Sequence, residues 1–413
     1  MADLLISNAR VLTMLAPGET RPPVGGRRGS AMGTLGVMPS ADVYVTGGVV
    51  ERVVATGVDR ARVARHVDAE GRVLMPGFVD CHTHACWAGS RIDEWERKLS
   101  GATYQEIMAA GGGIMSTVRA VREASEEELA SGLADRLGIM HVFGTTTAEV
   151  KSGYGLTVGA EVKMLAAIES VRRSLGSILT VVPTALLGHA FEGDRAAFVE
   201  ETVERTLPTI DAALGRIAVD AFCEQGAWTA DDCERLLSAA VRRGHPVRIH
   251  ADQFTSMGMV ERAIGLGARS VDHLEASTPE TLRAVAESET FGVGLPVCGF
   301  HLDGRYARLG EVVGQGGKVC IATNYNPGSA PSPSMPFAIA LAVRHCGLTS
   351  AQAIVAATVN PACLLGFADR GYIAPGARAD LILLRSTDER ALAYEVGGVP
   401  VDEVFTESGN ISR

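Results

Sequence analysis

Val73–His84 reads VLMPGFVDCHTH, and this stretch decides the fold. It is a short apolar run, too brief for a helix, that ends in a cluster of groups able to do chemistry. That is the signature of a buried strand delivering polar side chains at its C-terminal end. Seven later runs repeat the plan: TTTAEVKSG from Thr145, ILTVVPTALLGH from Ile178, RIAVDAFCE from Arg216, HPVRIHAD from His245, SVDHLE from Ser270, FGVGLPVC from Phe291 and KVCIATNYNPG from Lys318. Amphipathic stretches such as EEELASGLADRLGIMHVF at Glu126–Phe143 and TADDCERLLSAAVRRG at Thr229–Gly244 separate them. Eight strands alternating with helices predict an α/β fold, a (β/α)8 TIM-like barrel over residues 73–363. A doubly wound open sheet is the alternative, but no GxGxxG turn follows the first strand.

Outward from the barrel, both ends of the chain read as β structure. Leu4–Met14 and Ala41–Gly57 are alternating and β-branched, and Gly371–Arg385 and Val401–Phe405 return to that pattern. Residues 1–72 and 364–413 are therefore expected to pair into one small β domain. Between the first two strand regions, TRPPVGGRRGSAMGTLGVMPS (Thr20–Ser40) is rich in Gly, Pro and Arg. It is expected to be an exposed loop with solvated arginines.

Composition narrows the function classes. The 413 residues are 46% hydrophobic and 21% charged, enough apolar material for a large core, which rules out a disordered or fibrous chain. With 38 basic and 48 acidic residues the net charge is −10, so no general attraction to nucleic acid or an anionic membrane is expected. No apolar run nears the roughly 18 residues of a membrane span. The N-terminus lacks the parts of a secretory signal. The eight cysteines are scattered without a CxxC. They are expected as reduced thiols in a cytoplasmic protein.

The chemistry-bearing residues gather at the ends of the barrel runs, where a (β/α)8 enzyme carries its active site. His82 and His84 are two apart, so in an extended strand they face one cavity and make half of a metal site. The fifth run ends in His250 and the sixth in His273. One such histidine is readily a core residue, but four recurring at strand ends are hard to explain by packing. The eighth run, where a carboxylate would complete the metal site, has Asn324.

PGFVDCHTH, the strand-end histidines and the late ADLILL run resemble the metal-dependent amidohydrolase superfamily. GSR at Gly89–Arg91, GATYQEIMAAGGGI at Gly101–Ile114, TTTAEVKSGYGL at Thr145–Leu156, HADQF at His250–Phe254 and NPGSAPSPSM at Asn326–Met335 narrow the resemblance to the imidazolonepropionase family, over essentially the whole chain. The resemblance implies hydrolysis of the ring amide of 4-imidazolone-5-propionate, in histidine degradation, to N-formimidoyl-L-glutamate. It also implies one metal ion, Zn or Fe, held by His82, His84 and His250, with Asn324 in the place of the family's metal-binding, proton-handling Asp. His273 is implied as the histidine that contacts the attacking water. Arg91, Tyr154, His189 and Gln253 are implied substrate contacts, Gln253 also serving catalysis. Asn326, Gly328 and Ser329 form the loop that holds the product-like end of the ligand. The partner is a small molecule with a carboxylate tail, and a homodimer is implied. Gly111–Gly113 are expected to serve a turn rather than touch the ligand.

These roles have independent physical sense. A divalent ion lowers the pKa of its water to about 7, giving a nucleophile strong enough for an amide. The fork of Arg91 and the hydroxyl of Tyr154 suit a carboxylate tail. Lys151 follows the second run rather than the fourth, so a single metal with a structural or outlying Lys151 is expected, not a lysine bridging two metals. Asn324 is neutral and is no base at pH 7, and losing a general base costs about 10²–10⁴ in rate. Weakened metal binding and slowed turnover follow, whether the Asn was introduced or arose naturally. A related hydrolase of another acidic five-membered ring, or a non-catalytic ligand-binding homologue, are the competing readings.

Overall fold

The computed structural model describes residues 2–58, 63–102, 106, 111–407 and 409–410. Part of the Gly101–Ile114 segment, residues 103–105 and 107–110, lies outside them. Eight parallel strands run in sequence order around a nearly closed barrel: Phe78–Asp80, Thr145–Lys151, Thr180–Gly188, Ala218–Cys223, Arg248–Ala251, Ser270–His273, Phe291–Gly294 and Val319–Ile321. Each predicted run contains one of them. The last strand meets the first through side chains and strand ends. Thr323 Oγ1 donates to Asp80 at 2.5 Å, Asn324 N to the His82 carbonyl at 3.0 Å, and His84 N to the Tyr325 carbonyl at 3.0 Å.

The helices have clear local causes. Ser125 and Glu128 form a capping box at the start of Glu126–Val142, as do Thr229 and Asp232 before Ala230–Arg242. Leu129, Leu133, Leu137 and Met140 then fall on one face and are fully buried against the barrel.

The chain ends build a second, mixed sheet, as expected. Its core contains Ile6, Val11, Val43, Leu74, Leu381 and Leu383. Val73–Pro76, read from sequence as the start of the barrel, belongs to this sheet. Leu381–Leu384 pairs with it antiparallel, and the N-terminal strand Leu4–Leu12 pairs with it parallel. The run VLMPGFVDCHTH is thus divided at Gly77, whose N–H donates to the Asp380 carbonyl at 2.8 Å. A Cβ there would lie 2.4 Å from the Thr146 side chain, so the chain passes between the sheets only as glycine. An apolar run does not reveal which of two sheets buries it.

The Thr20–Ser40 segment is largely exposed, as expected, but Arg27 and Arg28 are not simply solvated. Arg27 is buried (2% exposed), bonded to Glu19 at 2.6 Å and to the Met14 carbonyl at 2.6 Å, while Asn360 Oδ1 accepts from its backbone N–H. Arg28 reaches Glu289 at 2.6 Å. Arg27 finds its carboxylate and carbonyl nearby in sequence and Arg28 finds its own some 260 residues on, pairings that composition cannot reveal.

Candidate active site

The barrel mouth gathers the strand-end histidines. His82, His84 and His250 are buried, and one ring nitrogen from each lies within 4.8 Å of the others. The outer nitrogens of His82 and His250 are held from behind, whereas His84 Nδ1 has no hydrogen-bond partner among the described residues. His82 Nδ1 sits 2.6 Å from Asp272 Oδ2, and His250 Nδ1 lies 3.2 Å from Asp220. That leaves His82 Nε2 with no hydrogen-bond partner among the described residues, although it is buried. His250 Nε2 faces His84 Nε2 at 3.3 Å. Burial, joined by the charge of Lys151, pushes the His82 and His84 imidazoles well below their usual range. Neutral imidazoles with lone pairs converging on one point, each of two locked by a carboxylate behind it, fit a divalent metal.

Beneath them lies a buried charged layer. Lys151 Nζ bonds Glu149 at 2.7 Å and Asp220 at 2.8 Å, and Arg248 bonds Asp272 at 2.7 Å. Lys151 therefore stands one carboxylate away from His250. Asp220 and Asp272 were not singled out from sequence. The available signal was an acid inside a short apolar strand, in AVDAF and SVDHL, where an unpaired charge is prohibitively costly.

A small cavity of about 60 Å³ opens above the histidines. His84, His250, His273 and Asn324 line it in company with Gln253. Tyr154, His189, Asn326 and Ser329 line it as well, together with Phe222, which sequence reading missed. His189 Nδ1 pairs with the Gly153 carbonyl at 3.0 Å, and its ring stacks on His84 at 5.1 Å between centroids. Burial, with His250 close by, drives its pKa down to about 3, so it meets a ligand as a neutral imidazole. Burial likewise pushes the Tyr154 phenol up, keeping it a donor. Gln253 Nε2 donates to Cys298 Sγ at 3.3 Å.

Backbone geometry aims several of these groups. His273 and Leu274 both take positive φ, at 89° and 73°, and Asn324 does so at 55°. Such residues are strained and persist only where their surroundings over-determine them. Asn326 Oδ1 accepts from the N–H groups of Gly328 and Ser329 at 2.8 and 2.7 Å, tying the loop into a turn. Arg91 does not line the cavity wall itself. Its Nε donates to Glu94 at 2.8 Å and its Nη2 also pairs with Glu94, leaving Nη1 beside Gly328. A Cβ on Gly328 would lie 2.7 Å from that nitrogen.

A barrel of this order, with a histidine cluster at its C-terminal mouth, defines a hydrolase of the amidohydrolase family, whose model matches residues 73–408. Solved structures with the same fold include a 5-methylcytosine deaminase from Klebsiella pneumoniae, at TM-score 0.74 and 18% identity, covering 99% of this chain and 98% of that one. A triazine hydrolase variant aligns at TM-score 0.74 and 16% identity, over 100% and 95% of the two chains. Among curated relatives, imidazolonepropionase from Chloroflexus aggregans is 41% identical over 98% of this chain and 97% of its own length. The protein of that name from Deinococcus radiodurans is 43% identical over 93% and 95%. The chain belongs to the imidazolonepropionase family. No helix among the described residues is long and apolar enough to cross a membrane.

Proposed function

We propose that this chain hydrolyses the ring amide C–N bond of 4-imidazolone-5-propionate to N-formimidoyl-L-glutamate. The observation that carries the reading is the convergence of His82, His84 and His250 beside a cavity lined by neutral donors. These three histidines would hold one Zn or Fe ion, with the Asn324 amide alongside. A divalent ion bound there supplies Lewis acidity and an acidified water. His189 and Tyr154 orient the ring, and the Nη1 of Arg91 with the Asn326–Ser329 turn receives the anionic tail. Gln253 offers its amide to the ring nitrogen.

Proton handling falls to His273. Its ring faces the cavity, and Nδ1 lies 3.2 Å from both carboxylate oxygens of Glu275, which fixes the tautomer and the orientation of the ring. Asn324 cannot take the proton, so turnover is slow relative to a chain with Asp at that place. Asn324→Asp is expected to raise turnover by about 10²–10⁴ in an imidazolone ring-opening assay. No gain removes the base role from that position. No hydrolysis by either chain, with ligand still bound, favours a non-catalytic binding homologue, and faster opening of a different acidic ring favours a related hydrolase. Metal analysis of the purified protein decides between Zn and Fe. A homodimer in the cytoplasm completes the reading, checked by light scattering and cell fractionation.

A further inference from the structure

A second group of donors stands next to the first, the rings of His250 and His273 lying 5.6 Å apart between centroids. His273, Glu275 and Cys298 each offer one ligand atom, and these lie within 4.8 Å of one another. All three side chains are nearly shielded from water: His273 and Glu275 are 3% and 5% exposed, and Cys298 is buried. Two reach the spot from the end of one strand and the third from the helix after the next. His273 ends the sixth strand, Glu275 follows it across the strained Leu274, and Cys298 lies in the first turn after the seventh strand. None belongs to the His82, His84 and His250 set.

We propose that His273, Glu275 and Cys298 form a second, inhibitory site for a zinc-like divalent cation. The imidazole and thiolate are borderline and soft donors that select such an ion over magnesium or calcium, and the carboxylate is a ligand zinc also accepts. Bonds of about 2.0–2.3 Å need only a small side-chain rotation from this arrangement. The carboxylate and thiolate together carry −2 and neutralise the ion; because one proton leaves as the ion enters, the net charge of the site rises by one. On binding, the sulfur–proton bond of Cys298 breaks, the proton leaves to solvent and the sulfur donates its pair to the cation. Occupation also takes Glu275 from His273 and Cys298 from Gln253, whose amide now donates to that sulfur. Turnover therefore falls as the site fills. That consequence rests on the proposed role of His273; the binding itself does not.

The test adds Co²⁺ and Zn²⁺ to the holoenzyme. Expected are one extra ion per chain after dialysis, a near-ultraviolet thiolate-to-cobalt absorption, and inhibition that tracks it. The first donor set has no sulfur, so the band reports the second site alone. Cys298→Ser should abolish the band and raise the half-inhibiting Zn²⁺ concentration roughly tenfold or more, since even partners outside the first shell are worth that much. Glu275→Gln keeps the sulfur, so its band should persist but need more cobalt, which covers the case of a misfolded serine variant. No band in the holoenzyme, or a band unchanged in Cys298→Ser, overturns the site. A Cys298-dependent band without inhibition supports the site and removes His273 from proton handling.

Discussion

The barrel mouth and the terminal sheet are built from similar apolar strands, yet they spend their buried positions differently. In the sheet, Ile6, Val43, Leu74, Leu381 and Leu383 pack against one another. At the mouth, the buried places go to His82, His84, His250, Asp220, Asp272 and Lys151, and His273, Leu274 and Asn324 hold positive φ. The sheet gains stability from each side chain, on the order of 1.5–3 kcal/mol for a buried leucine. The mouth holds desolvated polar groups, most of them paired, and leaves His82 Nε2 and His84 Nδ1 without a hydrogen-bond partner among the described residues. Stability and chemistry are thus largely housed apart, although Gly77 joins them directly.

Three substitutions can break or sharpen that separation. Leu383→Ala should have the largest effect, lowering unfolding free energy by about 2–5 kcal/mol in denaturant titration, with kcat/KM of the folded protein unchanged. A kinetic change of similar size would show that the sheet also shapes the site. Gly328→Ala should do the opposite. Its Cβ drives Arg91 Nη1 away, raising KM roughly tenfold, the worth of one charged hydrogen bond, while the unfolding midpoint stays put. An unchanged KM would remove Arg91 from recognition of the tail.

The smallest effect concerns His141, at the end of the Glu126–Val142 helix and away from the mouth. Burial holds its pKa below the ordinary value, against the pull of the Thr145 carbonyl. A histidine depressed in the folded state takes up its proton more readily when unfolded. Its contribution is complete above about pH 6.5 and is lost as pH falls below that value. His141→Gln should therefore flatten the fall of the unfolding temperature between neutral and mildly acid pH. An equal slope in both proteins would contradict the burial effect.

Much of this was legible before any fold was known. The eight runs each became a barrel strand because a short apolar segment bounded by turns has few other uses. The HxH spacing brought His82 and His84 together because extended chain alternates its side chains. Tyr154, His189, Gln253, Asn326 and Ser329 were named through family resemblance, and they line one cavity. The chain was less legible where a group's partner is far off in sequence. Arg27 looked solvated but is buried, its backbone held by Asn360, 333 residues on. Val73–Pro76 looked like barrel but pairs with Leu381–Leu384, some 300 residues later.

Periodicity and residue chemistry, both local properties, were enough to establish strands, helices and a candidate metal site at their ends, while the reaction came from resemblance to a known family. Only the tertiary structure decided that Asp272 steadies His82, that Asp220 stands between Lys151 and His250, and that Glu275 and Cys298 flank His273. Those meetings depend on how eight strands stagger as they close into a ring, a geometry set by all the packing at once and written in no single segment.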